Sequence, residues 1–169
     1  MSEKPFARRT AIVTGSGRNI GRAIAIELAR GGADVVVNGH RDQAAVDEVV
    51  REIEAIGARA IGVMADVSSH DAVRAMVIRA TESFGGVDIA ISNVAHRPKQ
   101  AFLDITLDDW HAVINTNLSA AFYLAREVIP QMRTRKWGRI IHISGFDGFW
   151  SQVTERAHNI TAKAGVHGL

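Results

Sequence analysis

The sequence predicts an α/β fold: a parallel sheet covered by helices on both faces, in three layers. Three observations carry this expectation. In the stretch TAIVTGSGRNIG, residues 10–21, a short apolar run (Ala11, Ile12, Val13) breaks into a turn holding Gly15 and Gly17, then enters a helical pattern near Ile20 and Gly21. Behind that turn, short β-branched runs alternate with longer segments of helical spacing, the order that builds βαβ units. The strand runs are apolar nearly throughout, as strands buried on both faces are.

The strands are expected at residues 10–14, 34–38, 58–64, 87–93 and 139–144. Between them, Val46, Val49, Val50 and Ile53 mark one helix face, and Val73, Met76, Val77, Ala80 and Phe84 another. Leu118, Ala121, Phe122, Ala125, Ile129 and Met132 mark a third. Ser68 with Asp71, and Thr106 with Asp109, fit N-cap and N3 positions. Gly31 with Gly32, Gly57, and Gly85 with Gly86 stand where helices should end. Right-handed crossovers then place the first strand centrally, so that the first and fourth flank a switch point for ligand.

Composition narrows the function classes. The chain has 169 residues, 47% hydrophobic and 22% charged, with a formal net charge of +2. Basic residues are spread along it, with small clusters at Arg8 and Arg9 and at 133–136, so a solvated surface is expected and not a nucleic-acid footprint. The absence of cysteine excludes disulfides, thiolate catalysis and thiolate metal ligands. The seven histidines show no paired ligand spacing, and no metal site is expected. No run approaches the roughly 18 apolar residues of a membrane span, and the N-terminus has no signal-peptide core, so a cytoplasmic location is expected.

The turn at 10–21 carries the chemistry. A helix N-terminus presents unpaired N–H groups and a partial positive charge, which attract phosphate. Glycine lets the backbone bend tightly and lets a pyrophosphate approach without meeting a Cβ. Taken alone, the same glycines would also serve a plain strand-to-helix turn.

Further segments agree in order. Thr14 and Gly15 through Gly21 resemble the TGxxxGxG turn of the short-chain dehydrogenase/reductase family. Asp66 and Val67 follow the third strand, where that family has an acidic residue near the adenine. Ser92-Asn93-Val94-Ala95 stands in place of its NNAG, and Trp110 with Asn117 and Leu118 resembles its Asn-bearing helix. Residues 138–144, GRIIHIS, resemble the strand leading to its catalytic Ser, and Ala162-Lys163-Ala164-Gly165 the end of its YxxxK helix. The resemblance covers essentially the whole chain. It implies a Rossmann-type doubly wound parallel sheet in one NAD(P)-binding domain over residues 1–169, lacking the family's last strands. Thr14, Gly15, Gly17, Arg18, Ile20, Gly21, Arg41, Asp66, Val67, Asn93 and Lys163 are the implied cofactor-binding residues. Asn19 stands at the family's middle glycine; asparagine tolerates a left-handed backbone better than most residues.

NAD-specific members carry an acidic residue at the end of the second strand, which accepts hydrogen bonds from ribose hydroxyls. Here that position is Gly39, followed by His40 and Arg41, with Arg18 in the glycine turn. No carboxylate repels a 2′-phosphate there, and arginine suits one because its planar fork donates two hydrogen bonds. NADP(H) is therefore expected in preference to NAD(H).

The catalytic end departs from the family. Its Tyr exchanges the proton, its Lys lowers the Tyr pKa and holds ribose, its Ser polarises the substrate oxygen and its Asn positions a water. Asn117 and Lys163 match, but the Tyr position is Asn159 and the Ser position Gly145. An amide does not titrate near neutrality, and general acid–base catalysis contributes about 10²–10⁴-fold. Asn159 could still donate an N–H to a substrate oxygen. His158 has the right chemistry but lies about 100° from Asn159 on a helix. Ser144 replaces the family Ser only if the strand end is offset by one residue. His142 and Asp147 are weaker candidates, and Tyr123 reads as a packed side chain. His96-Arg97-Pro98-Lys99 follows the fourth strand, where it reads as a solvated loop or as an approach for a substrate anion.

The sequence stops in the first turns of the YxxxK helix, which leaves the fifth strand at a sheet edge. The expected function is an oxidoreductase interconverting a carbonyl and a secondary alcohol on a small molecule, resembling a 3-oxoacyl-thioester reductase. The resemblance implies homo-oligomers. The alternative is an NADP(H)-binding module without turnover, or an inactive fragment.

Overall fold

The computed structural model describes residues 4–150 and 154–169, apart from the side chain of Asp147. Five strands alternate with six helices: β1 (Thr10–Val13), α1 (Asn19–Arg30), β2 (Asp34–Gly39), α2 (Gln43–Ala55), β3 (Ala60–Met64), α3 (His70–Phe84), β4 (Ile89–Ser92), α4 (Leu107–Ile114), α5 (Ala120–Arg135), β5 (Arg139–His142) and α6 (Ala157–Val166). All neighbouring strands are parallel, in the order β3-β2-β1-β4-β5. This is the expected doubly wound sheet, with β1 central and a switch point between β1 and β4.

Alternate side chains of β1 feed two separate cores. Ile12, beside Val36 and Ala90 in register, packs with Val73 and Met76 of α3 and with Leu124 and Val128 of α5. Ala11 and Val13, beside Val35 and Val37, pack with Ala25 and Ala29 of α1 and with Val46, Val49 and Ile53 of α2. The small buried residues Gly21, Ala25 and Ala29 lie along one side of α1 and let it approach the sheet closely. At the amino end of the sheet, the buried Asp88 carboxylate accepts from the Thr10 N–H (3.0 Å) and pairs with Arg9 and Arg135.

The structure corrects several expected boundaries. Strands β1 and β4 end one residue early and β5 two, β2 runs one residue further to Gly39, and β3 and β4 begin two residues late. The cap of α3 is Ser69, whose hydroxyl accepts from the Ala72 N–H; the Ser68 hydroxyl is committed to Asp66. Thr106 caps α4 as expected. The buried stripe of α5 is Ala121, Leu124, Val128 and Met132, whereas Phe122 and Ile129 are 46% and 41% exposed. That helix is apolar over much of its circumference, so periodicity leaves two adjacent stripes open. A π-helical turn at Asn115–Ser119 shifts the phase, and contact with α3 selects the stripe. No helix among the described residues is long and apolar enough to cross a membrane.

Candidate functional site

Loops at the carboxyl ends of β1, β2, β3 and β4 line a groove of about 640 Å³. Its lining includes Gly15, Gly17, Arg18, Asn38, Gly39, His40, Arg41, Asp66, Val67 and Ser68, with Val94, Ala95, Ala112 and Thr116 toward the sheet centre. The α1 helix opens onto it, and its N-cap, Arg18, makes no side-chain capping hydrogen bond. The first-turn N–H groups are therefore not held by a side-chain cap, the arrangement suited to an anion.

The glycine turn is shaped by close approach. Gly15 has φ 63°, and a Cβ on it would lie 2.8 Å from Val94 Cγ2. Gly21 sits closer still, with Gly15 O at 2.4 Å and Asn93 Nδ2 at 2.6 Å from an added Cβ. Asn19 is left-handed at φ 51°, the conformation for which asparagine is suited. Thr14 Oγ1 accepts from the Asn93 N–H (2.9 Å), and Asn93 Nδ2 donates to the Thr14 and Gly15 carbonyls. The side chains of Thr14 and Asn93 thus hold the turn to β4, and neither they nor Ile20 and Gly21 line the groove.

Asn38 and Ser16, which the motif reading passed over, make the second staple. Buried Asn38 accepts from the Gly15 N–H through Oδ1 and donates through Nδ2 to the carbonyls of Gly39, Val63 and Ala65. Ser16 Oγ donates to Val13 O and accepts from the Asn38 N–H. The sequence signal was an asparagine closing an otherwise apolar strand, a buried amide that needs several partners.

Beyond the ends of β2 and β3 the structure brings His40, Arg41 and Asp66 together on one side of the groove. His40 Nε2 stands 3.7 Å from Asp66 Oδ2. Burial works against the Asp66 carboxylate, but hydrogen bonds from the Ser68 hydroxyl and N–H, with the charges of His40 and Arg41, hold its carboxyl below the usual range. One carboxylate therefore shares this rim with the cations Arg18 and Arg41.

Val94 and Thr116 also line a smaller adjoining cavity with Thr14, Ser92, Asn117, His142, Ile143 and Lys163. Asn117 is buried in the π-turn, accepting from the His96 N–H (2.7 Å) and donating to His96 O (2.8 Å) and Asn159 Oδ1 (3.0 Å). Lys163 Nζ donates to Ile143 O at 2.6 Å. Burial first, then the Arg97 charge, lowers its pKa. The expected catalytic residues Asn117, Asn159 and Lys163 thus meet beside this cavity. Ser144 turns elsewhere, its hydroxyl bonding Lys163 O and standing 3.0 Å from His167 Nε2. His158 is buried with Nε2 on Gln100 Oε1 (3.1 Å), and Gln100 in turn donates to Asp109, so it ties α6 to α4. The Asp147 side chain lies outside the described residues. Tyr123 packs against the α3–α5 core beside His70.

His142 is half-buried next to Ser92, its register partner on β4, and desolvation followed by the Lys163 charge lowers its pKa. The unfolded chain therefore takes up a proton that the folded chain resists, and stability rises with pH from the lowered value up to about 6.5. Urea unfolding of His142→Asn should show this limb flattened below about pH 6.5; a limb unchanged in the variant would assign the proton to another group.

Comparison with known proteins agrees with this geometry. Residues 9–169 match the short chain dehydrogenase family. The chain belongs to that family.

Among its relatives, the 3-oxoacyl-(acyl-carrier-protein) reductase FabG of Staphylococcus epidermidis is 35% identical over 163 residues, 95% of this chain and 66% of the relative. The corresponding reductase of Synechocystis is 38% identical over 161 residues, 95% and 65% of the two chains. L-rhamnose 1-dehydrogenase (NAD(P)(+)) of a Sphingomonas species is 36% identical over 162 residues, 95% and 63%. A candidate short-chain alcohol dehydrogenase from Sinorhizobium meliloti 1021 superposes with a TM-score of 0.93 at 28% identity, covering 99% of this chain and 66% of that one. The chain of this short-chain dehydrogenase family member thus spans just under two thirds of the length of these relatives.

Proposed function

We propose that this chain forms the cofactor-binding part of an NADP(H)-dependent oxidoreductase interconverting a carbonyl and a secondary alcohol, with a 3-oxoacyl thioester as its substrate class. The observation that carries the cofactor choice is the adenosine rim of the groove. Gly39 ends β2 without a carboxylate, and Arg18, His40 and Arg41 line the same groove. The glycine cradle and the α1 N-terminus fit a pyrophosphate. The substrate class rests on the 3-oxoacyl-(acyl-carrier-protein) reductases among the relatives.

When bound, the nicotinamide supplies or accepts a hydride. This chain's residues do the remaining work. The cradle holds the pyrophosphate, and Arg18 and Arg41 hold the 2′-phosphate. Asn159 orients a substrate oxygen through its amide. Lys163, its pKa lowered by burial and by Arg97, is the titratable group at hand for the proton. The exposed Phe102, Leu103 and Leu107 near the start of α4 supply an apolar surface for self-association.

A second reading, dinucleotide binding without turnover, is favoured by one observation: Asn159 Oδ1 is engaged by Asn117. Fluorescence titration with NADPH and NADH, followed by NADPH oxidation with 3-oxoacyl thioesters, decides between them. Wild type should bind NADPH more tightly, and Arg41→Glu should weaken NADPH by about tenfold or more while sparing NADH, since a charge-assisted phosphate contact is removed. Equal binding of both dinucleotides by wild type would overturn the cofactor assignment. NADPH binding without oxidation of any substrate would favour the second reading.

A further inference from the structure

We propose that Val46 determines dinucleotide selection together with Gly39, by filling the space that an acidic side chain at position 39 would need. The inference rests on the NADP(H) reading above and deepens it.

Gly39 has no positive φ, so its backbone accepts any L residue. Conformation does not require glycine there; space does. A Cβ built on Gly39 would lie 2.4 Å from Val46 Cγ2 and 3.4 Å from Met64 Sδ. The same methyl stands 3.4 Å from a Cβ built on Gly17, and the other methyl, Cγ1, stands 2.7 Å from one built on Gly62. Three glycines, on the phosphate turn, on β2 and on β3, therefore close around one valine.

Val46 cannot readily yield. Its side chain is fully buried in the first turns of α2. A β-branched residue in a helix has one strongly preferred χ1, so Val46 has little rotamer freedom with which to swing Cγ2 away from Gly39. Nor is the helix free to back away. Asp42 caps it, its carboxylate accepting from the Ala45 N–H at 3.0 Å and its carbonyl from the Val46 N–H at 3.4 Å.

A carboxylate at the end of β2 would accept hydrogen bonds from ribose hydroxyls and repel a 2′-phosphate. Val46 shuts that side chain out, and the ring of Arg18, His40 and Arg41 then decides which ribose is accepted. Val46 acts through position 39 and is a positioning residue.

The test compares Kd for NADPH and NADH, by fluorescence titration of the whole protein, in four forms: wild type, Gly39→Asp, Gly39→Asp with Val46→Ala, and Gly39→Asp with Val46→Thr. The Ala double variant should bind NADH about tenfold or more tightly than Gly39→Asp alone, the scale of a hydrogen bond to a charged group. The Thr double variant keeps the branch and should show no such gain. If Gly39→Asp does not fold, recovery of cooperative unfolding with Val46→Ala but not with Val46→Thr supports the steric lock, and no recovery overturns it. NADH gained by Gly39→Asp alone, as fully as by the Ala double variant, overturns the inference and leaves the NADP(H) reading standing. Wild type that binds neither dinucleotide overturns that reading and this inference with it.

Discussion

Asn159→Tyr combined with Gly145→Ser should raise carbonyl-dependent NADPH oxidation by about 10²–10⁴-fold, the usual contribution of a positioned general acid. Under the function proposed above, Asn159 stands where such a group would act. It is buried on α6, four residues before Lys163, and bonded to Asn117 beside the cavity that Lys163 lines. An amide at that point can orient an oxygen but cannot exchange a proton. A phenol there would be flanked by a lysine of lowered pKa, whose cationic form favours the phenolate. The change costs the Asn117–Asn159 hydrogen bond. A net loss of about 1 kcal/mol in stability is small against the expected gain in rate. At position 145 an added Cβ meets nothing within 4 Å, so a serine has room, although φ 157° is unusual for it. Steady-state rates on a panel of 3-oxoacyl thioesters and simpler ketones read the effect. Turnover unchanged in a folded double variant would show that Asn159 and Gly145 do not occupy the family's Tyr and Ser positions.

Gly21→Ala should abolish dinucleotide binding and destabilise the chain by about 3 kcal/mol, the upper end of overpacking costs. Two effects oppose each other. Alanine is the better helix former by about 1 kcal/mol. Its Cβ, however, would lie 2.4 Å from Gly15 O and 2.9 Å from Ser16 Cα, both backbone, and 2.6 Å from Asn93 Nδ2. Backbone cannot rotate aside as a side chain can, so α1 must lift from the turn. That movement breaks the hold of Asn93 on the Thr14 and Gly15 carbonyls, which sets the shape of the glycine turn. Thermal unfolding should fall by about 6–12 °C for a chain of this size. NADPH titration should show no saturable binding. Wild-type affinity in the variant would refute the view that this contact shapes the cradle.

Much of the fold was legible because its signals are local. Short apolar runs, helical stripes and glycine stops each report on a few neighbouring residues, and right-handed crossover chirality orders the strands. The errors fell where a distant partner decides. The stripe of α5 depended on which arc α3 covers, and the cap of α3 on whether Asp66 claims the Ser68 hydroxyl. At the site, the glycine turn and its arginines were visible as motif residues. The staple made by Asn38 and Ser16 was not, since it links residues 22 positions apart through hydrogen bonds that only the parallel β1–β2 pairing creates.

The sequence by itself determined the class of fold, the glycine turn and the absence of a titratable group at position 159, because each depends on residue type and spacing alone. Tertiary structure decided what those residues can reach. It seats Asn117 between His96 and Asn159, buries Lys163 near the charge of Arg97, and lodges Val46 against three glycines from three separate segments. Close packing and buried hydrogen bonds have no counterpart in sequence spacing. They arise only when the sheet brings the carboxyl ends of its strands together.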